Sequence, residues 1–419
     1  MLSRKIFEKL KEQANDKKIS LLLGARQVGK TTLLKELYLQ FSRTNKCLFL
    51  DLDIISNYEK ASTFENLINT LRLNGYKEDQ KEFFYLFLDE FQRYVNIVKI
   101  MKNVYDNLNN VKIYASGSSS LIIKNQVQES LAGRKKINEI FPLDFEEFLW
   151  FKQNEKLIKK FSNIKSLKGD SLNSSLKEFN ELLKEFLVFG GYPEVVLKSL
   201  GNEKSEVLAS IFDLYVKKDL VEYLKIEKIL DMKKLIEFLA VNNGQKIKYE
   251  DTSKLTSLSF KELKRHIEIL KETYLIEELR PFYTNKNKEL VKIPKIYFID
   301  NGVRNYFINN FNGLSLRNDS GFLFEGFVIS ELLKKGVKNL KFWQDKNENE
   351  VDVIVQERSQ IFPIEIKFKQ NLKSEDFRGI EAFLKNYPKT KRGYLINMGI
   401  QKLSKKINLI LPYFAQWFG

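Results

Sequence analysis

The run Gly24-Ala25-Arg26-Gln27-Val28-Gly29-Lys30-Thr31 stands between a short apolar segment, Ile19 to Leu23, and a helical pattern that opens on Thr32, TLLKELYLQF. No other feature of the chain restricts its fold as tightly. A G-x-x-x-x-G-K-[ST] loop works only where a buried strand hands over to a helix. The glycines let backbone N–H groups turn inward around phosphates, and the helix N-terminus adds free N–H groups and its dipole. The expectation is an α/β domain with a parallel sheet. Lys30 is expected to reach the outer phosphates of a nucleotide, and Thr31 to ligate magnesium.

Two further apolar runs extend the sheet, Cys47-Leu48-Phe49-Leu50-Asp51 and Phe84-Tyr85-Leu86-Phe87-Leu88. The second ends in Asp89-Glu90. A buried strand closing on two carboxylates, downstream of such a loop, is expected to hold the metal through Asp89 and to polarise a water through Glu90. The alternative is an ordinary strand end. The chain has one cysteine, Cys47, and one histidine, His266. That excludes a disulfide framework or a Cys/His zinc site within one chain, and it argues against histidine-dependent nucleophilic catalysis. Any metal is therefore expected on carboxylates and phosphates, as Mg2+ or Mn2+.

The motifs GARQVGKTTLL, LFLDEFQ, ASGSSSL, LAGRKKI, FPLDFEEF and Gly190-Gly191-Tyr192-Pro193-Glu194-Val195 follow one another in that order. Together they resemble a family of bacterial and archaeal AAA-type P-loop ATPases with a C-terminal region of originally unknown function. The resemblance implies ATP and Mg2+ as ligands, with Gly24 to Thr32 around the nucleotide. It implies a polar sensor on the strand Val111 to Ser118, with Ser118 the first candidate and Ser116 the second. Arg134 either stabilises transition-state charge, in cis or across a subunit boundary of a homo-oligomer, or is a structural arginine.

The 419 residues suit two or three domains. The expected division is an ATPase core at 1–150, a linker and helical lid at 151–230, a winged helix-turn-helix at 231–300 and a nuclease-like domain at 301–419. The stretch Lys152 to Ser175 is rich in Lys, Asn and Ser and reads as an insertion or loop-bearing linker. Helical periodicity runs from Glu178 to Leu230, broken at Gly190-Gly191 and Pro193, with Tyr215 to Leu220 given a packing role.

Helices are expected at Asp231 to Asn242, at Tyr249 to Thr256, and after a capping box, Ser259 to Glu262. In the third, Leu263, Ile267 and Leu270 share an apolar stripe, with Lys261, Lys264 and Arg265 off it and His266 at the core side or its edge. Strands from Tyr274 and Ile296 flank the basic loop TNKNKELVK. This is the winged-helix layout, which serves DNA or protein partners. Lys+Arg number 70 against 54 Asp+Glu, a net charge of +16. That balance suits DNA, although general lysine richness accounts for part of it.

In the last third, Glu325 sits in the first turn of a helix. A strand at Leu340, the run Glu350-Val351-Asp352 and the run Ile364-Glu365-Ile366-Lys367 follow. Strand alternation puts Glu365 and Lys367 on one face, and a hairpin would bring Asp352 there. A helical Glu, an Asp and a Glu-x-Lys are the parts of restriction-endonuclease-like (PD-(D/E)xK) domains, expected here on an αβββαβ core. Such a site would take Mg2+ or Mn2+ on its carboxylates and use Lys367 at the attacking water, or it is catalytically silent. The N-terminal MLSRKIFEKLKEQ reads as an amphipathic helix without a signal-peptide core, and no run approaches a membrane span. The cytoplasm is the expected location.

Overall fold

A computed structural model describes residues 4–118, 127, 129–163, 169–216, 220–221, 228–284, 287, 289, 292–358, 360–399, 402 and 404–413. Several segments singled out above lie outside the described residues. They are Ser119 to Leu121 of the ASGSSSL run, residues 164–168 of the linker, Lys217 to Asp219, and most of the basic loop 284–292. The chain divides into two compact units. One comprises Met1–Phe141, Leu214–Lys225 and Glu272–Tyr274, and the other Pro142–Asp213, Ile226–Lys271 and Leu275–Gly419.

The first unit opens with helix α1 (Ile6–Glu12) and strand β1 (Ile19–Gly24), followed by α2 (Lys30–Phe41) and β2 (Cys47–Asp51). Then come α3 (Ile55–Ala61), α4 (Phe64–Leu73), β3 (Phe84–Asp89), α5 (Asn96–Asn107), β4 (Val111–Ser118) and β5 (Lys135–Ile140). The strands form a parallel sheet in the order β2-β3-β4-β1-β5. β1, β3 and β4 are buried at every position, as the central strands of a sheet covered on both faces are, with Ser20, Lys112, Ser116 and Ser118 among the buried polar residues. β5 sits at an edge, and its charged Lys135, Lys136 and Glu139 suit that place. Helix α5 buries Ile97, Val98, Met101 and Val104, at helical spacing, against Leu86, Leu88 and Ile113 of the sheet core.

All five strands run the same way, so their C-terminal ends share one rim. The register places Asp51 beside Asp89, Leu88 beside Ala115, and Gly24 between Ser118 and Ile140. Open parallel sheets bind ligands at this rim.

The second unit begins with α6 (Phe145–Phe151), opened by a complete capping box of Asp144 and Glu147. α7 (Glu155–Asn163) and α8 (Gly169–Phe189) follow. The stretch read as a linker thus carries α7, because Leu157 and Phe161 repeat at helical spacing and bury. Next are α9 (Pro193–Leu197), α10 (Gly201–Leu214), α11 (Ile229–Val241), α12 (Tyr249–Thr256) and α13 (Phe260–Glu272). The Ser259–Glu262 capping box is formed in both directions. On α13, Leu263, Ile267 and Leu270 are buried with His266, while Lys261, Lys264 and Arg265 are exposed.

Strands β6 (Ile276–Pro281) and β7 (Lys295–Phe298) come next, then α14 (Asn301–Phe307), α15 (Ser320–Lys334), β8 (Lys341–Gln344), β9 (Glu350–Glu357) and β10 (Gln360–Lys367). α16 (Arg378–Asn386), β11 (Gly393–Asn397) and β12 (Ile407–Ile410) complete the chain. β6 starts two residues later than its apolar run, because Tyr274 takes a left-handed φ of 59°. The strands make one sheet in the order β12-β11-β10-β9-β8-β6-β7. β9 pairs antiparallel with both β8 and β10, and β10, β11 and β12 are parallel. The core is thus αβββαββ, with β11 and β12 following α16. The β6–β7 hairpin, expected as the wing of a winged helix, is the sheet edge beyond β8, so the sheet runs through the expected boundary at residues 300 and 301.

A polar network joins the helices of this unit. Asp300 caps α14, accepting from Val303 N (3.2 Å) and Gly191 N (2.7 Å). A Cβ at Gly302 would stand 2.0 Å from the carbonyl oxygen of Phe189, so only glycine lets α14 pass the end of α8. Buried Arg304 donates to the carbonyl of Ala240 (2.8 Å) and pairs with Asp319, which Arg317 also grips at 2.8 and 2.9 Å.

Candidate nucleotide site and a buried carboxylate–lysine cluster

The loop after β1 turns on two left-handed residues, Gln27 at φ 58° and Gly29 at φ 94°. Alternating hands of this kind point successive N–H groups into one concavity. Gly24 is pressed against β5, where a Cβ would fall 2.0 Å from the Ile140 carbonyl oxygen. The first helical residue, Lys30, is 5% exposed and folds back to donate to Gly24 O (3.2 Å) and Ala25 O (2.6 Å). Its ammonium therefore lies inside the cradle formed by Gly24, Ala25, Arg26, Gln27, Val28, Gly29, Thr31 and Thr32.

Asp89, 1% exposed, ends β3 on the same rim and accepts from the hydroxyls of Ser116 and Thr31. Burial lifts its pKa above the ordinary carboxylate value; the two hydrogen bonds act downward, and the carboxylates of Glu90 and Asp51 act upward again. Glu90 has a left-handed φ of 54° and accepts from Gln92 Nε2. Hydroxyl and carboxylate oxygens gathered beside a phosphate cradle are the donor set of Mg2+, which keeps water and phosphate as its other ligands. The residues present fit ATP and Mg2+.

Of the two sensor candidates, Ser116 touches Asp89, and Ser118 pairs in register with Gly24. Arg134 is not brought to the rim. It precedes Lys135, which pairs with Ile19 at the start of β1, whereas the loop leaves the opposite end beside Ile140. Six strand residues separate the two, about 20 Å. Arg134 instead holds Asp106 through two bonds, 2.7 and 3.2 Å.

Two residues at this site carry no role in the sequence reading, Arg4, which lies in no motif, and Gln92, the last residue of LFLDEFQ. Arg4, 24 residues from the loop, donates to Val28 O (2.8 Å) and to Phe141 O (2.9 Å). Gln92 holds Glu90 and lies over Gly117, where a Cβ would be 2.6 Å from its Oε1. Only the spacing DEFQ could have pointed to Gln92.

The second constellation lies in the C-terminal sheet. β9 and β10 pair as a hairpin, and Asp352, one residue past the Val353–Ile364 pair, accepts from Ile366 N at 2.7 Å. Glu365 Oε1 accepts from Lys367 Nζ at 2.5 Å, and Glu325 of α15 reaches the same cluster. Three more side chains join it. Tyr297 donates to Glu325, and Lys295 lies 2.5 Å from Glu350 and 3.6 Å from Glu325. Lys246 stands 3.6 Å from the other oxygen of Glu350. β7 supplies Lys295 and Tyr297, whose i, i+2 spacing puts both on one face. That spacing is legible in the sequence, but it does not distinguish a free wing from a sheet edge.

Burial lifts Glu325 to about 7 against the pull of Lys295. Burial raises Glu365 well above its ordinary value too, helped by repulsion from Asp352. For Lys295, burial acts downward but is outweighed by Glu325, Glu350 and Asp352, so its ammonium is held charged. Among the described residues no three Asp, Glu, His or Cys side chains are placed to hold a metal ion. The donor set fits a divalent cation poorly here, since Glu325, Glu350, Asp352 and Glu365 each already meet a protein donor through at least one oxygen, while Glu365 Oε2 is buried without a partner.

Residues 16–149 match the model of an AAA domain, residues 180–314 a domain of unknown function (DUF8612), and residues 320–415 another (DUF4143). The first unit is thus an AAA-type ATPase domain built on the parallel sheet of P-loop NTPases. The chain is 30% identical over 382 residues to the uncharacterized protein MJ1544 of Methanocaldococcus jannaschii, covering 88% of this chain and 79% of that one. It belongs to the same family as that protein. An uncharacterized protein of Haemophilus influenzae is 24% identical over 367 residues, 84% of this chain and 82% of its own. Among solved structures, the Walker-type ATPase paby2304 of Pyrococcus abyssi aligns over 73% of this chain and 96% of its own, with 17% identity and a TM-score of 0.47. Among the described residues no helix is long and apolar enough to cross a membrane.

Proposed function

We propose that the chain binds and hydrolyses ATP in a Mg2+-dependent manner and uses the cycle to act on DNA. The observation that carries the first half is the meeting of Lys30, Thr31, Asp89 and Ser116 at one rim of the sheet. In this reading the backbone from Gly24 to Gly29 wraps the phosphates, and Lys30 leaves its two carbonyls to bind the β/γ-phosphates. Thr31 and Asp89 would hold Mg2+, which when bound would supply countercharge to the phosphates. Glu90 orients and deprotonates the attacking water, with Gln92 setting its rotamer. Ser116 carries the sensor role through Asp89, ahead of Ser118. Arg134, about 20 Å from the loop, acts at a nucleotide only across a subunit boundary.

Lys30→Ala is expected to remove ATP binding and hydrolysis together, read by equilibrium binding of a fluorescent ATP analogue and by phosphate release. Undiminished hydrolysis in that variant sinks the assignment.

The DNA half rests on α13, which exposes Lys261, Lys264 and Arg265 on a helix capped and buried on its other side. Lys264 lies 4.4 Å from the centre of the Phe260 ring. This is the disposition of a recognition helix, with bases and phosphates meeting its first two turns. Lys264→Ala with Arg265→Ala is expected to weaken duplex binding and flatten its salt dependence by about one unit of slope for each phosphate no longer neutralised. Anisotropy titrations at several salt concentrations read both. Binding unchanged in affinity and slope would assign α13 to a protein partner.

The C-terminal sheet, with Glu325, Asp352, Glu365 and Lys367, is read as a restriction-endonuclease-like domain. One observation favours a second reading, an ATP-gated DNA- or protein-binding switch whose nuclease-like domain is silent. Its carboxylates are already answered by lysines and a tyrosine.

A further inference from the structure

We propose that Lys295 is the resident cation of the C-terminal carboxylate cluster, standing where a divalent ion would sit, so that the wild-type cluster takes no divalent metal and loss of Lys295 opens a metal site. The inference rests on reading this sheet as nuclease-like only for the kind of ion such a cluster would take.

Glu325, Glu350, Asp352 and Glu365 bring four carboxyl groups together, and Lys246, Lys295 and Lys367 bring three ammonium groups. Lys295 is central to the set. Its side chain is 7% exposed, it pairs with Glu350 at 2.5 Å, and it lies 3.6 Å from Glu325. Burying an ammonium so completely is costly without carboxylate partners, and here two elements provide them, β9 and α15. Tyr297, two residues on, occupies the remaining reach of Glu325 Oε1 with a neutral hydroxyl.

Space is short as well as charge. α16 crosses the cluster at Gly379, where a Cβ would fall 1.9 Å from Glu350 O and 3.1 Å from Glu365 Oε2. A hard divalent ion needs about six oxygen ligands, and like charge beside Lys295 opposes its entry. No set of three carboxylates among the described residues is arranged for one. Removing the ammonium reverses this. Glu325 loses its cation, Glu350 keeps only Lys246 at 3.6 Å, and Glu365 Oε2, buried without a partner, becomes a ready ligand beside Asp352.

The test is Mn2+ binding to the full, nucleotide-free chain, counted by loss of the free Mn2+ paramagnetic signal. In wild type and in Asp352→Asn the titrations are expected to coincide, with no bound Mn2+ that Asp352→Asn removes. Lys295→Met and Lys295→Gln are expected to gain one Mn2+ per chain, at least about tenfold tighter than any wild-type binding, and to lose it when Asp352→Asn is added. Bound Mn2+ in wild type that Asp352→Asn abolishes overturns the proposal. So does a Lys295 variant of wild-type melting temperature that gains none. If both Lys295 variants fail to fold, the comparison of wild type with Asp352→Asn decides alone.

Supercoiled plasmid added to the same samples separates this inference from the nuclease reading. Wild-type nicking with Mn2+ that is lost in Asp352→Asn supports the nuclease and overturns the resident lysine. A Lys295→Met chain that binds Mn2+ without nicking upholds the resident lysine and removes the nuclease.

Discussion

Glu90→Gln is expected to slow ATP turnover by about 10²–10⁴-fold while leaving ATP affinity within a few-fold of wild type. The split follows from where the side chain stands. The carboxylate that shares hydroxyls with the loop is Asp89, which accepts from Ser116 and Thr31. Glu90 is turned away from that set by its left-handed backbone and is held by Gln92 Nε2. Gln keeps the size and one oxygen of Glu, so it still accepts from Gln92, but it takes no proton from water. Steady-state turnover and equilibrium binding of a fluorescent ATP analogue read the two effects separately. A loss of kcat with constant affinity assigns Glu90 to activation of the nucleophile. A parallel loss of affinity would place it among the phosphate or metal ligands, as expected for Lys30→Ala and not for Glu90.

Asp319→Ala is expected to destabilise the second unit by about 3–5 kcal/mol, a large part of the roughly 5–15 kcal/mol that holds a domain folded. Asp319 answers two guanidinium groups, and the Arg317 side chain is 0% exposed and that of Arg304 only 3%. Truncation leaves both charges buried without their carboxylate. Arg304 also anchors the end of α11 through Ala240 O, and Asn305 beside it donates to the Val188 carbonyl at the end of α8. The damage therefore spreads to several helices. Trp150 and Trp343 belong to the second unit, so urea unfolding followed by tryptophan fluorescence reports it.

The same pair has a pH signature. Burial pushes the Asp319 pKa upward, but hydrogen bonds and charge from Arg317 and Arg304 outweigh it and hold the group well below the ordinary carboxylate range. A depressed folded pKa contributes stability that is complete above the unfolded value, about 3.9, and is lost as pH falls toward the folded value. The gap between wild type and Asp319→Ala should stay constant from neutral pH down to about 5 and narrow below about 4. A gap that does not change in acid would mean that packing, and not the ion pair, supplies the stability.

What could be read without coordinates was local. The strand–loop–helix around Gly24 to Thr31, the carboxylates ending Phe84 to Asp89, the Ser259–Glu262 cap and the shared face of Glu365 and Lys367 each depend on neighbours a few residues away. Apolar runs and periods of 2 and 3.6 residues specify such features directly. The α7 helix belongs to the same class, although its polar composition masks the Leu157–Phe161 spacing.

Pairings across long separations were decided by the tertiary fold. Strand order sent Arg134 to the far end of the sheet and brought Ser116, not Ser118, onto Asp89. The N-terminal segment delivered Arg4 to the loop. The β6–β7 hairpin joined the C-terminal sheet and carried Lys295 and Tyr297 into the carboxylates. A lysine on a strand has the same local pattern whether its tip meets water or Glu350. Which of the two it meets is set by the element packed opposite, 55 residues away along the chain.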